Sequence, residues 1–187
     1  MKIENGIVTD ARQVPSPNCD ARPADGQIDL LVIHGISLPP GEFGGPHIDE
    51  LFTNELDPAA HPYFAEIEGL HVSSHLFIRR DGELVQFVNL LDRAWHAGVS
   101  SFDGRSACND FSIGIELEGT DDLAYPDAQY DRLAEATCAI MRTWPAIKPD
   151  RICGHCDIAP GRKTDPGPAF DWPRFRAMIE ERNAEMD

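Results

Sequence analysis

The stretch Phe111-Ser112-Ile113-Gly114-Ile115-Glu116-Leu117-Glu118 decides the fold class, because apolar and polar residues alternate along it. A period of two marks a β-strand whose two faces meet different surroundings. Ser112, Gly114, Glu116 and Glu118 then share one face. Glu118 is expected to point to solvent. Glu116 admits two readings. It is either another solvent-facing carboxylate or a partly buried one in a cleft, where lost solvation raises its pKa and suits it to general-base work.

Upstream, Leu30-Leu31-Val32-Ile33-His34 is a short apolar run that reads as a buried strand ending in a polar residue. The segment before it, through Pro15, Pro17, Pro23 and Gly26, is expected to be irregular and to cross the surface. A short helix is expected to follow, with Ile48, Leu51 and Phe52 on one side. Residues 72–80 and 83–89 flank Asp81-Gly82, a strong hairpin signal. Downstream, 127–142 reads as a helix with Tyr130, Leu133, Thr137, Ile140 and Met141 along one stripe. Pro126 suits its first turn and Pro145 helps to stop it. A brief strand is expected over 151–154. A last helix begins near Asp171 and buries Trp172, Phe175, Met178 and Ile179. Mixed strands and helices give an α/β (mixed α+β) fold, a central mixed sheet flanked by helices, in one domain over 1–187.

Net charge is −16, from 32 acidic against 16 basic residues. That balance lacks the basic footprint that nucleic acid or an anionic membrane requires. No apolar run approaches the roughly 20 residues of a membrane span, and the first residues lack signal-peptide grammar. The cysteines are Cys19, Cys108, Cys138, Cys153 and Cys156, an odd 5 at irregular spacing, which suggests a reduced, cytoplasmic compartment.

The chemistry gathers in Gly154-His155-Cys156-Asp157-Ile158-Ala159-Pro160-Gly161-Arg162-Lys163-Thr164-Asp165-Pro166-Gly167. Pro and Gly forbid long regular structure here, so a loop can aim several polar groups at one point. A catalytic zinc takes three protein ligands and leaves a position open. His155 and Asp165 on the loop, with His34 at the end of its strand, can supply that set in a surface cleft, and Lys163 stands beside them. Cys153-Gly154-His155-Cys156 also spells a C-x-x-C, the alternative being thiol redox chemistry. Asp157 to Gly161 cannot extend into the long helix that lowers such a thiol's pKa, so zinc is the better reading. Of the 7 histidines, His47, His61 and His71 read as loop residues, and His75 as a hydrogen-bonded core residue.

These pieces, together with Val32-Ile33-His34-Gly35-Ile36-Ser37-Leu38-Pro39-Pro40-Gly41-Glu42-Phe43-Gly44-Gly45, Arg93-Ala94-Trp95-His96-Ala97-Gly98 and Asn109 through Gly119, occur in order along nearly the whole chain. The combination resembles the cytoplasmic AmpD-type muramyl-peptide amidases of the zinc amidase superfamily, which also contains peptidoglycan recognition proteins. The resemblance implies His34, His155 and Asp165 as Zn2+ ligands, Glu116 as catalytic carboxylate and Lys163 as its cationic partner. It implies hydrolysis of the amide between the lactyl group of (1,6-anhydro)-N-acetylmuramic acid and L-alanine of muropeptides, in cell-wall recycling. Trp95, His96 and Ala97 fall where the family lines its sugar and peptide cleft. Two departures stand out: Gly35 where the family carries Asn, and Ala107 where some members carry an arginine that Arg105 could replace. Arg79, Arg80, Arg93 and Arg162 are further candidates to meet substrate carboxylates. The alternative is a non-catalytic wall-fragment binder on the same fold.

Overall fold

The computed structural model describes residues 1–24 and 26–184; the last three residues of the expected domain lie outside that range. A six-stranded sheet forms from β1 (Arg12–Gln13), β2 (Leu30–Ile36), β3 (Leu76–Ile78), β4 (Leu84–Gln86), β5 (Ser112–Glu118) and β6 (Ile152–Gly154). Its order is β6-β2-β5-β3-β4-β1. The strands β6, β2, β5 and β3 run parallel, β4 is antiparallel to β3, and β1 runs parallel to β4. The expected mixed sheet flanked by helices is what forms.

The helices are α1 (His47–Thr53), α2 (Pro62–Glu66), α3 (Asp127–Thr143), α4 (His155–Ile158) and α5 (Trp172–Ala184). One face of the sheet packs Leu31, Ile33, Ile113, Ile115 and Leu117 against Tyr130, Leu133 and Ile140 of α3 and Phe175 and Ile179 of α5. Burying one such side chain fully contributes about 1.5–3 kcal/mol. Gln129 of α3 donates to the carbonyls of Ile78 at 2.9 Å and Glu118 at 3.1 Å, tying the helix to the ends of two parallel strands. On the other side, α1 and α2 cover Phe77, Val85 and Phe87 with Leu51, Phe52 and Phe64. Among the described residues no helix is long and apolar enough to cross a membrane.

Three expectations change. The opening segment is not wholly irregular. Ile3–Glu4 pairs with Ile7–Val8, β1 joins the sheet edge, and Cys19–Asp20 pairs with Arg93–Ala94. The hairpin strands are shorter than 72–80 and 83–89. The turn spreads over Arg79 to Glu83, where Arg79 N donates to Glu83 O at 3.0 Å and Gly82 N to Arg79 O at 2.9 Å. Glu118 does not face solvent. It is 2% exposed because the loop after β2 folds over it; its carboxylate accepts from Gly44 N at 2.5 Å and Arg80 N at 3.1 Å.

Candidate metal centre and its cleft

Strand register builds the site. In the parallel pair β2–β5, Glu116 stands beside His34, and Ser112 and Gly114 stand beside Leu30 and Val32 on the same face. In the pair β6–β2, Gly154 stands beside Ile33, so the next residue, His155, emerges at the level of His34. Three parallel strands therefore deliver His34, Glu116 and His155 at their carboxyl ends, where open α/β sheets form ligand crevices. The loop after α4 returns Asp165 to the same point, with Cys156 N donating to Asp165 O at 3.0 Å.

His34 Nδ1, His155 Nδ1 and Asp165 Oδ2 face one another: 3.0 Å between the two nitrogens, 3.3 and 3.1 Å from them to the oxygen. The outer nitrogen of each ring is engaged elsewhere. His155 Nε2 lies 3.2 Å from the Ala97 carbonyl and His34 Nε2 lies 2.9 Å from His96 Nδ1. With their protons on those outer nitrogens, the rings turn two lone pairs and a carboxylate oxygen toward one another. Such a triangle calls for a cation. Its edges match the spacing of about 3.3 Å between ligands on a tetrahedral zinc.

Burial lowers the His34 pKa to about 4, against the opposing pull of Asp165, so the ring is neutral at physiological pH, as a ligand must be. Burial would raise the Asp165 pKa, but a proton donated from the facing Nδ1 of His155 or His34 outweighs it and holds the carboxyl below the ordinary range; a cation in the triangle would take that proton's place. Glu116 goes the other way. Burial, reinforced by the charge of Asp165, pushes it well above its usual value, while Lys163 pulls it down. Its Oε1 lies 3.8 Å from His34 Nδ1, and its Oε2 is buried without a hydrogen-bond partner. Of the two sequence readings, the cleft-facing carboxylate is the one that forms.

The cleft, of about 560 Å³, has a polar end at Glu116, His155, Lys163 and Asp165 and an apolar end lined by Leu51, Phe52, Tyr63, Ile67 and Trp95. Trp95 and His96 line it. Ala97 does not line the cleft; it is fully buried and serves His155 through its carbonyl. Arg105 is not brought to the cleft, because it bonds Asp29 at 2.7 Å and stacks over Phe111 at 3.7 Å. The other arginines also have partners. Arg79 and Arg80 bind around Glu118, Arg93 pairs with Asp20 and Asp110, and Arg162 donates to the Ala97 and Val99 carbonyls.

The cysteines are free thiols. Cys153 is buried and its pKa is pushed up to about 12 by that burial, while Cys156 sits in the single turn of α4, so neither is an activated thiol. Gly35, the departure beside His34, leaves space for Tyr125. A Cβ at position 35 would stand 2.5 Å from the Tyr125 hydroxyl, which donates to Pro166 O at 2.9 Å. Sequence reasoning missed Tyr125, Asn109 and Ser112. Their bonds join segments far apart in the chain, and a lone Tyr, Asn or Ser carries no spacing signal.

The family profile described as N-acetylmuramoyl-L-alanine amidase matches residues 24–168. The chain is 62% identical over 181 residues to the 1,6-anhydro-N-acetylmuramyl-L-alanine amidase AmpD of Escherichia coli K12, covering 97% of this chain and 98% of that protein. It is 56% identical over 178 residues to that of Haemophilus influenzae, covering 95% and 97%. A crystal structure of a selenomethionine AmpD derivative superimposes with a TM-score of 0.93 at 63% identity, over 96% of this chain and 99% of that one. The E. coli amidase AmiD, solved with the substrate anhydro-N-acetylmuramic acid-L-Ala-D-γ-Glu-L-Lys, shares 28% identity over 84% of this chain and 60% of its own, with a TM-score of 0.60. Strand register, the ligand triangle and these near full-length matches lead to one assignment: the chain belongs to the N-acetylmuramoyl-L-alanine amidase family.

Proposed function

We propose that this protein is a zinc-dependent amidase that cuts the amide between the lactyl group of 1,6-anhydro-N-acetylmuramic acid and L-alanine of muropeptides, in cell-wall recycling. The observation that carries the reading is the convergence of His34, His155 and Asp165 beside the unpartnered carboxylate of Glu116. The naming of the relatives supports the substrate, and so does the apolar end of the cleft, which suits a sugar ring and a short peptide. A wall-fragment binder has no use for a buried base beside a complete ligand set, so the enzyme is the better reading.

A zinc ion held by the three ligands would supply water ionised at about neutral pH. Glu116, whose carboxyl is held well above its ordinary pKa by burial, accepts a proton from the attacking water and delivers it to the leaving amine. Lys163, on the rim, offers its ammonium to the negative charge that develops on the scissile carbonyl oxygen. Trp95 and Tyr63 orient the substrate from the apolar wall. The whole chain, 1–187, acts as one domain in this reading. Its location is cytoplasmic, which the five free cysteines support.

Metal-replete protein is incubated with anhydromuramyl-tripeptide, with and without a chelator, and products are followed by mass. Free tripeptide is expected only without chelator. No peptide release from zinc-loaded protein defeats the amidase reading; release that survives complete zinc removal defeats the metal reading alone.

A further inference from the structure

The two histidine ligands differ in how their outer nitrogens are held, and one dipeptide serves both. His155 Nε2 meets the carbonyl of Ala97 at 3.2 Å. A carbonyl only accepts, so it favours the Nε2–H tautomer of His155 over the weaker 3.4 Å approach of Arg162 Nη2 to the same nitrogen. Arg162 Nη2 is itself engaged by that carbonyl at 2.6 Å. His34 Nε2 meets the side chain of the preceding residue, His96, at Nδ1, 2.9 Å away. An imidazole nitrogen either donates or accepts, so this contact sets the His34 tautomer only if the tautomer of His96 is itself set.

Ser112 sets it. Its hydroxyl lies 2.6 Å from Cys108 O, an obligate acceptor, and 3.1 Å from His96 Nε2. The single hydroxyl proton goes to the carbonyl, which leaves the oxygen's lone pairs for a proton on His96 Nε2. His96 Nδ1 is then an acceptor, His34 carries its proton on Nε2, and the His34 Nδ1 lone pair is directed at the metal position. Every member has one consistent direction.

The dipeptide is clamped from behind. Asn109 Oδ1 accepts from the backbone N–H groups of both His96 and Ala97, at 3.1 and 2.8 Å. Room for the His96 ring is made by Gly114 in the neighbouring strand, where a Cβ would stand 2.5 Å from the ring. Ser112, Gly114 and Glu116 therefore divide one strand face into a tautomer setter, a gap and a base.

We propose that His96 and Ala97, held by Asn109 and directed by Ser112, are positioning residues that fix the tautomers and ring planes of both histidine ligands. The polarity runs Cys108 O, Ser112, His96, His34, metal. This inference rests on the metal-centre reading, and it assigns His96 a duty beyond lining the cleft. Removal of such outer partners costs roughly 10–100-fold in metal affinity.

The test uses zinc as probe and two readouts besides activity. In zinc-loaded protein labelled with 15N at histidine, His96 is expected in the Nε2–H form, and in Ser112→Ala it becomes a mixture. In chelator competition, His96→Leu is expected to weaken zinc binding about 10–100-fold, and His96→Asn, which can place an amide oxygen near the Nδ1 position, recovers most of the loss. A His96 proton found on Nδ1 in the wild type overturns the proposed direction. Equal zinc affinity of wild type and His96→Leu, both folded by circular dichroism, overturns the positioning role. Should the Leu variant not fold, Ser112→Ala and the wild-type spectrum decide alone. Wild-type protein that fails to take up zinc defeats the metal reading itself, and this inference with it.

Discussion

Glu116 and Lys163 are close in the cleft but differ in what holds them. Glu116 is enclosed, with one carboxylate oxygen unpartnered, whereas Lys163 reaches in from an exposed loop. Glu116→Gln keeps shape and removes the proposed proton acceptor. Turnover is expected to fall by about 100- to 10,000-fold while zinc content by elemental analysis stays near one per chain. In the proposed mechanism Lys163→Met removes a charge that matters most as the carbonyl oxygen becomes anionic. Its expected signature is a kcat lower by about 100- to 1000-fold with KM nearly unchanged. A loss confined to KM would reassign Lys163 to substrate binding. The sequence made both residues visible, Glu116 by its place in an alternating strand and Lys163 by its position between His155 and Asp165. It left the direction of the Glu116 side chain open, because alternation fixes which residues share a face and not which face meets the cleft.

At the scale of elements, the loop that carries Asp165 is tied down by contacts with three others. Gly35 N lies 3.4 Å from Asp165 Oδ2, Tyr125 holds the Pro166 carbonyl, and Cys156 N holds the Asp165 carbonyl. Gly35 matters to this because any β-carbon there would crowd the Tyr125 hydroxyl. Gly35→Ala is expected to displace the ring tip and break its bond to Pro166, at a cost of about 1–2 kcal/mol. In a Tyr125→Phe background the hydroxyl is already gone and the same substitution should cost markedly less. Chemical denaturation of the four proteins measures the coupling. Additive effects would show that Gly35 and Tyr125 do not share this role. The strand pattern at 111–118, the α3 stripe and the final helix were legible in sequence, because each follows a local period. The small pairings of the opening segment were not, since two-residue strands are too short to show one.

Across the whole molecule, His34, His75 and His96 are buried at the centre. His75 is furthest from the metal position. Arg22 lies 3.0 Å from its Nε2, the Asp92 carbonyl 3.1 Å, Gly114 N 3.0 Å from Nδ1, and the His96 ring 5.6 Å centroid to centroid. Burial, assisted by the Arg22 charge, lowers its pKa to about 3. An unfolded histidine titrates near 6.5, so below that pH the unfolded chain gains a proton that the folded one refuses. The resulting stability is fully present above about pH 6.5 and is lost as pH falls toward 3. Its slope is up to about 1.4 kcal/mol per pH unit for one proton. In chelator-treated protein, His75→Gln should unfold with a flatter dependence between pH 6 and 4, less stable overall but less acid-sensitive. Parallel curves for variant and wild type would mean that His75 is not the group involved.

Periodicity and residue type in the sequence determined the strands and helices, the mixed sheet and a short set of polar residues able to hold a metal. These are local properties, written in spacings of two, three and four. Tertiary structure alone decided that Glu118 is capped by a loop, that Arg105 stays with Asp29, and that Ala97 meets His155 with its carbonyl. It also aligned Glu116 with His34 by strand register and connected His34 to His96 and Ser112. The physical reason is that hydrogen-bond direction and burial depend on which distant segments meet, and no spacing along the chain records that.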